Sequence, residues 1–240
     1  VAKAEVRYAV RQPAWFLVPK LQVQMRNYQF DSPLPNGQTQ RSLTVPTASV
    51  DAGLLLERNT SYWGRSYVQT LEPRAFYTYT PFREQNSLPN YDSGLNDFNF
   101  TSIYNANTFN GEDRIADNNL LTLGVQSRLI KPQDGAEVLR LSYAQRLRYK
   151  DRTVVLPGGA PDNARFSDML FGVQSNLSKK WSSDAVVQYN PKTNNSERSS
   201  IGLRYHPSDY RTLSLAYRYQ RSQSEMVDVG WQWPLNNPGG

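Results

Sequence analysis

The feature that most constrains this chain is an alternation of apolar and polar residues with period two, repeated along most of its length. Trp181, Ser183, Ala185, Val187 and Tyr189 fall on one face of a segment, and Ser182, Asp184, Val186, Gln188 and Asn190 on the other. Ile201, Leu203 and Tyr205 oppose Arg198, Ser200, Gly202, Arg204 and His206. Leu213, Leu215, Tyr217 and Tyr219 oppose Thr212, Ser214, Ala216, Arg218 and Gln220, and Val227, Val229, Trp231 and Trp233 oppose Asp228, Gly230 and Gln232. Leu139, Leu141, Tyr143 and Leu147 oppose Arg140, Ser142, Ala144, Arg146 and Arg148, and Leu121, Leu123, Val125 and Leu129 oppose Thr122, Gly124, Gln126 and Arg128. Successive side chains of a strand point to opposite faces. The pattern therefore predicts an all-β chain of about eleven strands, near 5–11, 15–30, 46–57, 66–81, 119–130, 137–150, 166–178, 181–190, 198–206, 212–221 and 226–234.

Strand length separates two ways of using such a sheet. Ten residues at ~3.3 Å each, tilted by ~45°, span roughly 23 Å, close to the ~25 Å apolar band of an outer-membrane barrel. Strands of soluble sheets are commonly five or six residues long. The connections alternate too. Tight turns are expected near Gln12-Pro13, Asn59–Gly64, Lys131–Ala136, Lys179-Lys180 and Pro207–Arg211, and longer links at about 31–45, 82–118, 151–165, 191–197 and 222–225. Short turns on one side and long loops on the other are the habit of up-and-down barrels. Trp15, Trp63, Trp181, Trp231 and Trp233 all fall in or near a short turn or where one is due, as an interfacial aromatic girdle would place them.

Charge assigns the faces. Arg7, Arg26, Asp51, Glu57, Glu72, Arg74, Arg128, Arg140, Arg146, Arg148, Asp184, Arg198, Arg204, Arg218 and Asp228 share one face. A single Arg or Lys facing mid-bilayer lipid costs ~2–4 kcal/mol, so half a dozen would exceed a folding stability of ~5–15 kcal/mol. This face must meet water, and the apolar face lipid. A soluble carbohydrate-binding β-sandwich, with its apolar face turned into a core, and a porin-like diffusion channel both remain open on periodicity alone.

Other classes are disfavoured. The 240 residues contain no cysteine, and their net charge of +6 includes no run of five or six basic residues, so neither a disulfide scaffold nor a nucleic-acid tract is expected. No apolar run approaches the ~18 residues of a membrane-spanning helix. His206, the single histidine, precedes Pro207 at a turn without a nucleophile motif, and no carboxylate cluster has Ca²⁺ or Zn²⁺ spacing. Gly158-Gly159 lacks the lysine and helix of a phosphate loop. No catalytic residue, cofactor or metal is expected. The chain begins without Met or a signal sequence and ends in a loop-like Leu235–Gly240, so it is expected to be part of a longer protein.

The stretch from Thr70 to Leu129 carries a family signature. It contains Leu71-Glu72-Pro73-Arg74, then Leu88-Pro89-Asn90-Tyr91-Asp92-Ser93-Gly94, then Phe109-Asn110-Gly111-Glu112-Asp113-Arg114-Ile115-Ala116-Asp117. This stretch strongly resembles the central barrel region of the LPS-assembly outer-membrane protein family (LptD). The resemblance implies a transmembrane antiparallel up-and-down β-barrel in the Gram-negative outer membrane, of which residues 1–240 would be a partial barrel domain with a long extracellular loop at about 82–118. It implies non-enzymatic transport of lipopolysaccharide (LPS) into the outer leaflet. The implied partners are an LptE-like lipoprotein plug in the lumen and a periplasmic LPS bridge that docks through a domain absent here.

Residues expected to line the lumen and contact plug or LPS head group are Glu72, Arg74, Arg128, Arg140, Arg146, Arg204 and Arg218. Glu72 and Arg74 are expected to pair with charges on neighbouring strands, and Pro73 to mark a bulge or break. Tyr91, Asp92, Asp97, Phe98, Phe100, Tyr104, Asp113, Arg114 and Asp117 are expected to form a partner or gating loop that folds over or into the lumen. Within it, Asp113, Arg114 and Asp117 resemble a salt-bridge cluster that locks the loop, and Asp97 could cap a helical turn near 99–105.

Overall fold

Alternating β-branched, aromatic and polar residues favour extended chain, and strands dominate the computed structural model, which describes residues 1–33, 37–62, 64–176 and 178–234. The strands are β1 (Ala2–Arg7), β2 (Val10–Gln12), β3 (Trp15–Gln29), β4 (Gln40–Leu54), β5 (Leu56–Tyr62), β6 (Arg65–Tyr79), β7 (Asn119–Ile130), β8 (Glu137–Arg148), β9 (Met169–Ser175), β10 (Trp181–Asn190), β11 (Asn195–Ser208), β12 (Arg211–Gln220) and β13 (Ser224–Gln232). They form an antiparallel meander in the order β1-β3-β4-β6-β7-β8-β9-β10-β11-β12-β13, with β2 also paired to β3 and β5 to β6. The thirteen segments therefore occupy the eleven expected lanes. Among the described residues no helix is long and apolar enough to cross a membrane. The Trp63 and Leu235–Gly240 expectations lie outside the described residues.

Prolines explain why two lanes are interrupted. β1 and β2 keep a single register against β3, with Arg7 opposite Lys20 and Val10 opposite Leu17. The gap faces Pro19, whose carbonyl still accepts the Tyr8 N–H at 3.1 Å but which has no N–H to return. The ladder to β6 likewise lapses between Gly53↔Arg74 and Leu56↔Leu71, the stretch holding Pro73. The register is unchanged across the lapse. Pro73 thus breaks the ladder without a bulge. Several boundaries differ from expectation, among them the start of β4, the end of β5 and both ends of β9. β4 begins at Gln40 rather than near 46. β9 is confined to Met169–Ser175, and Phe166 makes only an isolated bridge to Leu147. The segment before β9 is instead held by Arg148, which bonds Asp162 and the Ala164 carbonyl.

The long connections are 80–118 and 149–168, and a shorter one spans 30–39. The last two links on that side, 191–194 and 221–223, are as tight as the turns opposite them. They close through left-handed residues, Asn194 (φ 55°) and Ser222 (φ 57°). The loop asymmetry therefore belongs to the first part of the meander.

The chain divides into two compact units. One comprises Val1–Leu54, Arg74–Leu123 and Arg146–Ser167, and the other Leu55–Pro73, Gly124–Gln145 and the chain from Asp168 on. In the second unit the register lines residues up into rows. Leu141, Val173, Ala185, Ile201, Tyr217 and Val227 face each other across six strands. The next row is Leu139, Ser175, Ser183, Leu203, Leu215 and Val229. At the turn end Trp181, Tyr205, Leu213 and Trp231 share a row, with the Trp181 and Tyr205 rings 4.4 Å apart. The opposite face carries Arg140, Gln174, Asp184, Gly202, Ala216 and Asp228. Among the described residues of this unit nothing covers the apolar rows: Ile201, Leu215, Val227 and Val229 are all exposed. A sandwich would bury these residues.

In the first unit the two faces differ. Leu17, Leu21, Met25, Val50, Tyr77, Tyr79 and Leu123 stand exposed on one side. The other side presents Gln24, Arg26 and Tyr28 of β3, then Leu43, Val45, Thr47, Ser49 and Asp51 of β4, and Arg74, Phe76 and Thr78 of β6. The long loop covers this side. Leu88 and Ile115 from the loop pack on Leu43 and Val45, with Tyr28 and Phe30 alongside. Phe109 and Ala116 pack with Val154 and Leu156 of the second long loop. The core of this unit lies between the charged face and its loops, not on the apolar face.

Candidate functional site: a loop-covered charged face

The loop 80–118 is held chiefly by side chains that bond backbone. Asp113 accepts the N–H groups of Tyr91 at 2.6 Å and Asp92 at 2.9 Å. Asp92 accepts those of Glu112 at 2.9 Å and Asp113 at 3.0 Å. The buried Ser93 hydroxyl accepts the N–H groups of Asp113 and Arg114 at 2.9 Å each. Gln85 donates to the Ile115 carbonyl at 2.9 Å and accepts its N–H at 3.1 Å, standing in for a strand neighbour. Asn107 bridges the Arg114 carbonyl at 2.8 Å and the Ala116 N–H at 3.0 Å. Irregular backbone packed against a sheet needs such partners, since each unpaired buried group costs ~1–3 kcal/mol.

These contacts correct the expected salt-bridge cluster. Asp113, Arg114 and Asp117 lock the loop, but among the described residues none of them forms an ion pair. The Arg114 guanidinium donates to the Leu88 carbonyl at 2.6 Å and to those of Pro89 and Asp113. Asp117 takes the N–H groups of Thr153 and Val154 at 2.9 and 2.8 Å, tying one long loop to the other. The N–H of Glu112 holds the Asp92 carboxyl below the usual carboxylate range, and burial lowers the Arg114 guanidinium.

The expected turn is a single 3-10 turn, Ser102–Tyr104. Asn99, not Asp97, shapes its start: its side-chain oxygen accepts the Thr101 and Ser102 N–H groups at 2.9 and 3.0 Å. Asp97 contributes its carbonyl, which accepts the Ser102 hydroxyl. Ile103 is fully buried, and its carbonyl accepts from Thr122 at 3.0 Å and from Arg146. Tyr104 lies under the Arg74 guanidinium, 4.0 Å from its ring centroid, and edge-on to Phe76. Burial raises the Tyr104 hydroxyl above its ordinary value. Phe98 and Phe100 are half-buried beside the turn. Tyr91 is 80% exposed although its backbone is clamped.

The strand charges pair across neighbours. Arg74 forms a two-pronged bond to Asp51 at 2.9 and 2.7 Å. Glu72 accepts from Arg128 at 2.6 Å, Thr70 at 2.7 Å and Gln126 at 3.3 Å. Arg140 pairs with Glu137 of its own strand at 2.7 Å. Arg218 reaches Asp228 at 2.8 Å, and Arg204 stands between Ser182 and Ser214 in the register. Arg146 is buried among loop carbonyls. His206 contacts Thr212 at 3.1 Å.

Sequence reasoning missed Gln85, Asn99 and Asn107, the organisers of the loop, and placed Arg26 on the charged face without its burial, which leaves two guanidinium nitrogens unpartnered. The asparagines between Asn96 and Asn118 carried the signal, since Asn mimics backbone turns.

Residues 1–237 match the family profile described as LPS transport system D. The LPS-assembly protein LptD of Polaromonas sp. is 56% identical over 235 residues, covering 98% of this chain and 29% of that protein. That of Ralstonia nicotianae is 39% identical over 245 residues, covering 96% of this chain and 30% of its own length. The chain thus spans about three tenths of the curated relatives it matches.

Proposed function

This chain belongs to the LptD family and is an outer-membrane β-barrel portion, and on that premise we propose that it forms the central wall of a barrel that passes LPS to the outer leaflet. No bond is made or broken. The observation that carries the reading is the division of labour between the faces. Largely apolar rows stay bare for lipid, while the charged face carries paired arginines and, in the first unit, a packed loop. A hydrated wall of this kind suits a sugar-phosphate head group, because guanidinium groups bind phosphate with charge-assisted, often bidentate bonds. Glu72, Arg74, Arg128, Arg140, Arg146, Arg204 and Arg218 would line that wall and meet the head group or an LptE-like lipoprotein plug. The periplasmic LPS bridge would dock elsewhere in the whole protein.

The long loop 80–118 would cover the extracellular exit and help retain the plug. Deleting 95–110 from the full-length protein tests this. Loss of plug co-purification, or sensitivity to large antibiotics, is expected. A deletion that folds, keeps the plug and preserves the permeability barrier would refute the loop's role. A full-length protein that recovers no lipoprotein and conducts small solutes freely would favour a diffusion channel instead.

A further inference from the structure

Arg146 is buried under the carbonyls of the 3-10 turn, and the half-buried Arg148 and Arg152 add their charges beside it. Two carboxylates, Asp162 and Asp117, face these three guanidinium groups. Asp162 pairs with Arg148 at 2.6 Å. Asp117 is occupied by the backbone and hydroxyl of Thr153 and the backbone of Val154. Arg146 has neutral partners: the carbonyls of Ser102 and Ile103 and the hydroxyl of Thr122. Arg152 bonds the Thr108 hydroxyl at 3.0 Å and lies over the Phe109 ring at 5.1 Å. Arg148 Nη1 and Arg152 Nε are buried without a partner. Burial lowers the Arg152 guanidinium.

A buried cation bonded to neutral oxygens gives up much of what an anion would return. Charge-assisted bonds to phosphate are roughly twice as strong as neutral ones. A single 3-10 turn has poorer hydrogen-bond geometry than an α-helix, and the carbonyls of Ser102 and Ile103 are neutral acceptors where a phosphate would be a charged one. We propose that Arg146, Arg148 and Arg152 are a masked phosphate-monoester subsite, which the 3-10 turn and the residues after it to Thr108 cover until a phosphorylated sugar displaces them. The displaced turn would expose the charged face beneath it, so that cargo binding loosens the loop. This inference rests on the reading of the charged face as the head-group path.

The test uses the full-length protein with its lipoprotein partner in nanodiscs. Amide exchange of residues 99–108 is followed with glucosamine 6-phosphate, inorganic phosphate, glucosamine and matched KCl. Exchange should rise about tenfold with the sugar phosphate, by a smaller factor with inorganic phosphate, and not at all with glucosamine or KCl. Arg152→Gln should cut the phosphate-induced rise at least fivefold, whereas Lys131→Gln, in the turn between β7 and β8, should keep it. If Arg152→Gln releases the turn unaided, Arg148→Lys, which keeps the charge but loses the planar fork, should show the reduced response. No response to either phosphate, an equal response to KCl, or a response untouched by these substitutions would overturn the proposal. A null exchange result beside an intact plug and permeability barrier would remove the subsite alone; loss of both would count against the transport reading.

Discussion

Asp92 and Asp113 clamp each other's backbone: each carboxylate accepts N–H groups from the segment that carries the other. The pair converts residues 90–94 and 110–114 into one fastened unit without a strand between them. Asp113→Ala leaves the Tyr91 and Asp92 N–H groups without an acceptor and should cost about 2 kcal/mol. Amide exchange at Tyr91, Asp92 and Glu112 should quicken by an order of magnitude or more while β10–β12 amides stay unchanged. Unaltered exchange in the loop would show that the clamp is incidental.

The same clamp has a defined acid limit. Its bond from the Glu112 N–H depresses the Asp92 carboxyl in the folded protein. The ionised group therefore gives its full stabilisation above the unfolded value of ~3.9, and loses it as pH falls through the lower folded value. Protection of the Glu112 and Asp113 amides should persist at about pH 4 and collapse only below it. Collapse between about pH 5 and 6 would contradict this assignment.

Gly111 is required where Gly135 is merely convenient. Both have positive φ, 71° and 68°. A Cβ on Gly111 would sit 2.3 Å from the Asp92 carbonyl oxygen, whereas one on Gly135 meets nothing within 4 Å. Gly135→Ala should cost about 1 kcal/mol from backbone conformation alone. Gly111→Ala should cost more than about 3 kcal/mol or unfasten the loop, because backbone must move. Thermal unfolding of the two variants measures the difference, and equal losses would count against the close approach.

Tyr104 stacks on a guanidinium already fixed by Asp51, so the three residues should couple. A double-mutant cycle of Arg74→Met and Tyr104→Leu should give about 0.5–1 kcal/mol. The Arg74–Asp51 pair, partly open to solvent, should couple by about 1 kcal/mol or less. A cycle near zero for Arg74 and Tyr104 would mean that their stacking adds nothing to the contacts of Asn99, Ile103 and Phe76 that also hold the turn.

The strands were legible because alternation is a property of each strand by itself. Segments such as 181–190 and 212–221 show it without interruption, and their bounds hold within a residue or so. Gln40–Thr44 was less legible: it reads as polar loop, yet it pairs with β3 because the loop residues Leu88 and Ile115 supply a cover for Leu43 and Val45. The long loop was recognisable from its length and its apolar residues, but not its bonding. Asp113, Arg114 and Asp117 alternate in charge like an ion cluster, and only folding shows that nearby N–H and C=O groups compete for them successfully. Asn99 rather than Asp97 shapes the entry to the turn because it lies two and three residues before the N–H groups its side chain accepts, while the N-cap itself is Thr101.

The central claim is that the apolar rows meet lipid and the charged rows meet water. It is tested most directly by single cysteines in the membrane-embedded full-length protein, cleared of other reactive thiols and probed with a membrane-impermeant maleimide. Asp184, Arg204, Arg218 and Asp228 share the charged face of four successive strands, and Val187, Leu203, Leu215 and Val229 the apolar face. Cysteines at the first four positions should label, and cysteines at the second four should not. The reverse pattern, or equal labelling of both sets, would contradict the account.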